Sequence, residues 1–250
     1  FRSFDVKVGV RQGCVMSPWL FNVYMDSVIK ELNERVERGA GVRNEGEEWE
    51  VRQVLFADDT VLVADTREKL QRLVREFGEV CRGKNLRVNG GKSKVMIVGE
   101  VERERMRVVL GGEELEEVNV FRYLGMDLAA DGAMREEVNH RLEEGAKVVG
   151  AMKEIWSRRG ISMRAKKGLY EGVVVPTVLY GCETWALNAR ERKRMEMFEM
   201  GCLRRMSGVR RIDRVRNEEV WQRCGGGMKM LERADREVLK WFGHVRRMQG

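Results

Sequence analysis

Apolar residues fall along this chain in two rhythms, and the change from one to the other divides it. From Pro18 to Arg38, Leu20, Phe21, Tyr24, Met25, Val28, Ile29 and Leu32 recur three and four apart, which predicts an amphipathic helix. Ser17-Pro18 in front of it predicts an N-cap followed by proline at the first helical position. A second helix is predicted from Thr66 to about Arg82. Leu70, Leu73, Val74, Phe77, Val80 and Cys81 share one face, Thr66 is the cap and Gly83 the stop. Between these helices lie two short runs, Val54-Leu55-Phe56 and Val61-Leu62-Val63, each bounded by polar residues and each predicted to be a strand. Further strands are predicted at Phe4–Val8, Val95–Val98 and Phe121–Gly125. Residues 1 to 128 therefore predict an α+β arrangement, an antiparallel sheet with helices on one face.

From about Ala130 the rhythm becomes mostly helical. Val138, Leu142, Ala146 and Val149 mark one helix, and Ala165 to Leu179 another, interrupted near Pro176. Arg190 to Met206 carries Met195, Phe198, Met200, Cys202, Leu203 and Met206. Gly225-Gly226-Gly227 is expected to be a flexible linker before a last basic amphipathic helix, Leu231 to Met248. Residues 129 to 250 thus form a second, helical region.

Composition narrows the class. Charged residues are 35% of the 250, and the net charge is +7, which favours a polyanionic partner such as nucleic acid. Many of these charges alternate in sign, as on solvated helix faces. The five cysteines, Cys14, Cys81, Cys182, Cys202 and Cys224, include no Cys-x-x-Cys pair. Their odd number and isolation argue against a disulfide scaffold, and the wide spacing of Cys182, Cys202, Cys224 and His244 suits buried thiols rather than a zinc site. No apolar run approaches the ~20 residues that a membrane-spanning helix needs. Neither a P-loop nor a G-x-G-x-x-G fingerprint occurs, which weakens a small-molecule phosphotransferase reading.

The sharpest candidate chemistry is Asp58-Asp59, two carboxylates between the two central strands and expected on a two-residue hairpin turn. Paired carboxylates suit hard divalent cations such as Mg²⁺, although Asp59-Thr60 is also ordinary turn chemistry. Gln12-Gly13 stands just before the first helix, either as a plain turn or as a place where a substrate approaches bare backbone. Lys92 follows Gly90-Gly91 and precedes a strand, either as a solvated side chain or as a cation for a phosphate leaving group. For Lys94 the solvated reading is preferred.

Four blocks in this order carry a family resemblance: Arg11-Gln12-Gly13 through Ser17-Pro18, then Phe56-Ala57-Asp58-Asp59, then Gly90-Gly91-Lys92, then Tyr123-Leu124-Gly125. Together they resemble the palm of a reverse transcriptase, most closely those of LINE-type (non-LTR) retrotransposons. Tyr180-Gly181-Cys182-Glu183-Thr184-Trp185 and Trp241-Phe242-Gly243-His244 look like segments that follow the polymerase core in such elements.

The resemblance implies RNA-directed DNA polymerisation by two-metal nucleotidyl transfer. Asp58 and Asp59 would ligate two Mg²⁺, with Mn²⁺ as a substitute, and Lys92 would assist the leaving pyrophosphate. Gln12, Gly13, Phe56 and Ala57 would contact substrate, and Tyr123, Leu124 and Gly125 would support the primer terminus. The implied partners are an RNA template, a DNA primer and deoxynucleoside triphosphates, acting in the nucleus or cytoplasm. The helical half would be a thumb whose Arg204-Arg205, Arg210-Arg211 and Arg246-Arg247 meet phosphates.

Two features depart from the family pattern. A further aspartate is expected on a strand before Gln12, and Asp5, the only acidic residue there, has little weight as that ligand. Val15, Met16 and Ser93 stand where Pro, a small residue or Leu, and Thr are frequent. The chain, which opens on Phe1, is accordingly expected to be the C-terminal palm and thumb of a larger enzyme, poorly active alone. The alternative is a non-catalytic nucleic-acid-binding module from a degenerate element.

Overall fold

The computed structural model describes residues 13–36, 39–43, 50–99 and 107–248. Asp5, Gln12 and the expected Phe4–Val8 strand lie outside the described residues. Contacts divide the chain into two units, Phe1–Val118 and Asn119–Gly250. The composition change at about residue 128 and this division do not coincide, because the hairpin after Asn119 packs with the helices that follow it.

The first unit opens on α1 (Ser17–Arg35). Ser17 is its first helical residue rather than its cap. Met16 occupies the cap position without a side-chain bond, and the Ser17 N–H donates to the Cys14 carbonyl at 3.2 Å, so the chain is already turning there. A hairpin follows, β1 (Gln53–Phe56) against β2 (Asp59–Leu62), then α2 (Arg67–Gly83). Thr66 caps α2 as expected, its hydroxyl accepting from the Lys69 N–H at 3.3 Å. Gly83 is the last helical residue, and the left-handed backbone beyond it falls on Asn85 (φ 55°).

Met25, Val28 and Leu32 of α1 bury against Leu73, Phe77, Val80 and Cys81 of α2, with Leu55 and Leu62 of the hairpin packed on them. Leu62 also touches a second cluster, Val74, Val95, Val108 and Leu115. That cluster sits under β3 (Lys94–Val95), β4 (Val109–Leu110), β5 (Glu113–Glu114) and β6 (Glu116–Glu117). β3 runs parallel to β6, and β4 antiparallel to β5. The arrangement is α+β, as the pattern predicts, but the strands described here form separate two-stranded ladders rather than one sheet. Of the run Val95–Val98 only Val95 lies in a strand.

The second unit begins with a hairpin, β7 (Val120–Tyr123) and β8 (Met126–Ala129). Helices α3 (Arg135–Ala151), α4 (Lys153–Ser157), α5 (Met163–Leu169), α6 (Val175–Val178), α7 (Ala189–Ser207), α8 (Asn217–Arg223) and α9 (Met230–Met248) follow. α7 is closed by a capping box between Asn188 and Glu191. The interruption near Pro176 is a widened π turn, Tyr170–Val174, joining α5 to α6. Proline has no N–H, and its ring crowds the carbonyl four residues back, which a π turn relieves.

Two expectations for this unit are corrected. On α3 the residues buried between Val138 and Val149 are Arg141 and Gly145, whereas Ala146 is exposed. Gly225-Gly226-Gly227 is a held turn, not a loose linker. All three glycines have positive φ (88°, 55° and 103°), and the Lys167 ammonium donates to the Gly225 and Gly226 carbonyls at 2.9 and 2.6 Å. Cys182, Cys202 and Cys224 are buried, as their isolation along the chain predicts. Burial pushes the Cys182 thiol up to about 11 and Cys202 up to about 12.

Candidate active site

The β1–β2 register pairs Phe56 with Asp59, so the two turn residues are Ala57 and Asp58. This corrects the expectation that both aspartates occupy the turn: Asp58 is at the tip and Asp59 is the first residue of β2. Of the two turn residues only Ala57 has positive φ (52°), the sign pattern of a II′ hairpin turn. Glycine is the usual residue there, and a side chain larger than alanine would be strained.

The inner face of the hairpin, Leu55 and Leu62, anchors it to the core, while Val54, Phe56, Ala57, Asp58 and Asp59 are exposed. Among the described residues neither carboxylate has a hydrogen-bond or ion-pair partner. The donor set suits a hard divalent cation. It is also incomplete, because the described residues hold no group of three carboxylate, histidine or cysteine side chains able to enclose a metal. Asp58 and Asp59 thus offer two oxygen donors at the tip and, among the described residues, no third.

Gly13 is exposed, with φ 83°, and open space where a Cβ would stand. It leads into α1, whose core is shared with the hairpin. Gln12, its expected companion, lies outside the described residues. Lys92 sits on a turn set by Asn89, whose side-chain oxygen accepts from the Lys92 N–H at 3.2 Å and whose carbonyl accepts from the Ser93 N–H at 3.0 Å. The Lys92 ammonium is exposed and has no partner among the described residues. Lys94, expected to be solvated, instead pairs with Glu116 at 2.5 Å and is only partly exposed.

Tyr123, Leu124 and Gly125 belong to the second unit. Leu124 (φ 49°) and Gly125 (φ 80°) form the β7–β8 turn, both left-handed as in a I′ turn, and both exposed. Tyr123 points inward, and its hydroxyl is buried without a partner in the described structure, so the exposed tip belongs to the two turn residues.

Sequence reasoning missed the groups that hold this tip. Glu137 of α3 is fully buried and accepts from the Asp127 N–H at 2.7 Å. Arg141, one turn later and also buried, donates to Glu137 at 2.6 Å and to the Gly125 carbonyl. Along the chain this pair reads as one more solvated i, i+4 ion pair. Arg122 binds Asp127 through two nitrogens, at 2.7 and 2.9 Å, and holds its carboxyl below the usual carboxylate range.

Residues 2–128, just over half of the chain, match the family described as reverse transcriptase (RNA-dependent DNA polymerase). Among curated proteins, the chain is 25% identical to an uncharacterized transposon-derived protein of Caenorhabditis elegans, over 77% of this chain and 70% of that protein. It is 22% identical to the RNA-directed DNA polymerase from mobile element jockey of Drosophila funebris, over 95% of this chain and 25% of that protein. It is 27% identical to the retrovirus-related Pol polyprotein from type-1 retrotransposable element R2 of Popillia japonica, over 76% of this chain and 26% of that one. The chain thus spans about a quarter of the length of these last two relatives.

Proposed function

We propose that this chain, which belongs to the reverse transcriptase (RNA-dependent DNA polymerase) family, supplies the aspartate hairpin, the primer-supporting turn and a helical thumb to template-directed DNA synthesis in a non-LTR retrotransposon. The observation that carries the reading is the β1–β2 tip. It presents two carboxylates without a partner among the described residues, on a hairpin anchored by Leu55 and Leu62, inside the segment the family matches.

Asp58, at the outermost point, is the first ligand for a divalent cation and Asp59 the second, with Mg²⁺ the preferred ion and Mn²⁺ a substitute. When bound, such ions activate a primer 3′-hydroxyl and stabilise the charge of departing pyrophosphate. The residues of the chain do the rest. Phe56, Ala57 and Gly13 offer exposed surface, bare of long side chains at Ala57 and Gly13, where a deoxynucleoside triphosphate can lie against backbone. Gln12 would join them. Lys92 brings a free ammonium to neutralise or protonate the leaving group. Leu124 and Gly125 support the primer terminus of a DNA strand paired with an RNA template.

The test is Mg²⁺-dependent extension of a DNA primer on an RNA template. The 250-residue chain would be compared with a chain extended upstream to carry an aspartate-bearing strand, each beside Asp58→Asn. Extension is expected from the longer protein and little or none from the shorter, in which no third ligand joins Asp58 and Asp59 among the described residues. Asp58→Asn should lower the rate by on the order of 10³-fold, since metal stabilisation is worth several kcal/mol and about 1.4 kcal/mol is tenfold. Salt-sensitive RNA binding without extension in either protein would favour the non-catalytic binding module instead.

A further inference from the structure

The Tyr180–Trp185 block has no role in the chemistry above, yet it packs directly beneath the β7–β8 turn. We propose that Glu137, Arg141 and Tyr180 are positioning residues that lock the Leu124–Gly125 turn in the orientation needed to support a primer terminus. This rests on the primer-support reading of that turn and adds the device that would make it rigid.

Both carbonyls of the turn and the N–H two residues beyond it are bound by side chains. The Tyr180 hydroxyl donates to the Leu124 carbonyl at 3.2 Å. Arg141 donates to the Gly125 carbonyl, and Glu137 receives the Asp127 N–H at 2.7 Å. The three side chains are also bound to one another. Glu137 and Arg141 form a buried ion pair at 2.6 Å, and the Arg141 guanidinium lies over the Tyr180 ring, 4.5 Å from its centre. Gly181 (φ 73°) completes the seat, because a Cβ there would stand 2.6 Å from the Met126 sulfur.

A two-residue turn with positive φ at both positions matches the twist of the paired strands, but a left-handed backbone at Leu124 (φ 49°) carries a steric cost. A buried ion pair is a poor source of stability, since an apolar pair of similar volume commonly does as well. What directional charged bonds provide is a single geometry. Here that geometry leaves the Leu124 side chain and Gly125 exposed while both of their carbonyls are committed to side-chain donors. Such a surface suits contact with a sugar at a strand end better than contact with phosphates.

The experiment measures the affinity of the full chain for a 3′-recessed primer–template and for a blunt duplex of the same sequence, together with amide exchange at Gly125 to Asp127. The variants are Tyr180→Phe, which removes one hydroxyl from a half-exposed ring, Arg141→Lys, which keeps the charge but shortens its reach, and Val149→Ala, which loosens the unit's core away from the clamp. The unaltered chain is expected to prefer the recessed end. Tyr180→Phe and Arg141→Lys should cut that preference by about three- to tenfold, the scale of one hydrogen bond, and speed exchange at the turn. Val149→Ala should lower the melting temperature and leave the preference intact. A preference kept by both clamp variants would overturn the proposal while leaving the primer reading standing. An equal loss in Val149→Ala would overturn it too, by reducing the clamp to ordinary stability. No preference in the unaltered chain would remove the primer reading, and the proposal with it.

Discussion

Glu199 is buried on α7, where one of its oxygens accepts from both the Tyr170 hydroxyl at 3.1 Å and the Met230 N–H at 3.0 Å. Burial raises its pKa above the ordinary 4.5, against the pull of those two bonds. A carboxyl with a raised folded pKa contributes stability that is fully present below the unfolded value and is lost as pH rises through the folded one. Glu199→Gln keeps the accepting oxygen and carries no charge. Its melting temperature should exceed that of the native chain near neutral pH, and the gap should close as pH falls toward 4.5, read by thermal scans of both proteins across that range.

Thiol reactivity is set at the same scale. Cys14 is exposed, and the N–H groups of Met16 and Ser17 with the Ser17 hydroxyl lower its pKa. Cys81, Cys182, Cys202 and Cys224 are buried with raised pKa values. Iodoacetamide at neutral pH should therefore modify Cys14 rapidly and the other four only on unfolding, as peptide mass mapping would show.

Among the elements, α3 carries the least obvious packing. A Cβ on Gly145 would stand 2.4 Å from the Val178 side chain and 2.9 Å from the Phe198 ring, so α6 and α7 approach α3 across a bare backbone. Replacing a mid-helix glycine with alanine usually stabilises by about 1 kcal/mol. Here the overpacking cost of roughly 1–3 kcal/mol outweighs that gain. Gly145→Ala should thus lower the urea midpoint, and a higher midpoint would refute the close approach. The helix was legible from Val138 and Val149, but its contact residue was not, because periodicity marks apolar side chains and Gly145 acts by having none. The hairpins show the same division. The β1–β2 hairpin followed from two short apolar runs, while its turn composition, Ala57-Asp58 rather than Asp58-Asp59, and the place of Leu124-Gly125 in a turn rather than a strand depended on register.

Over the whole molecule the basic excess of +7 is spread unevenly in purpose. Arg204 is committed to the Val215 carbonyl at 2.8 Å and Asn217 at 2.9 Å, and Arg192 to Asp235, so these hold the thumb-like unit together. Arg205, Arg211, Arg246 and Arg247 are exposed with no partner among the described residues. Affinity for an RNA–DNA hybrid should fall by roughly tenfold or more between about 50 and 200 mM salt, and Arg246→Ala with Arg247→Ala should weaken binding and flatten that dependence. Fluorescence anisotropy across a salt series would check both.

Local pattern by itself determined the α+β-then-helical order, the family blocks, the Thr66 cap and the buried thiols, because each depends on neighbours a few residues apart. Tertiary structure alone decided that Glu137 and Arg141 are buried beneath a turn, that Tyr123 faces inward while Leu124 and Gly125 face out, and that the triple glycine is gripped by Lys167. Those outcomes depend on which distant groups meet, and burial converts an ordinary charge into one that must be paired.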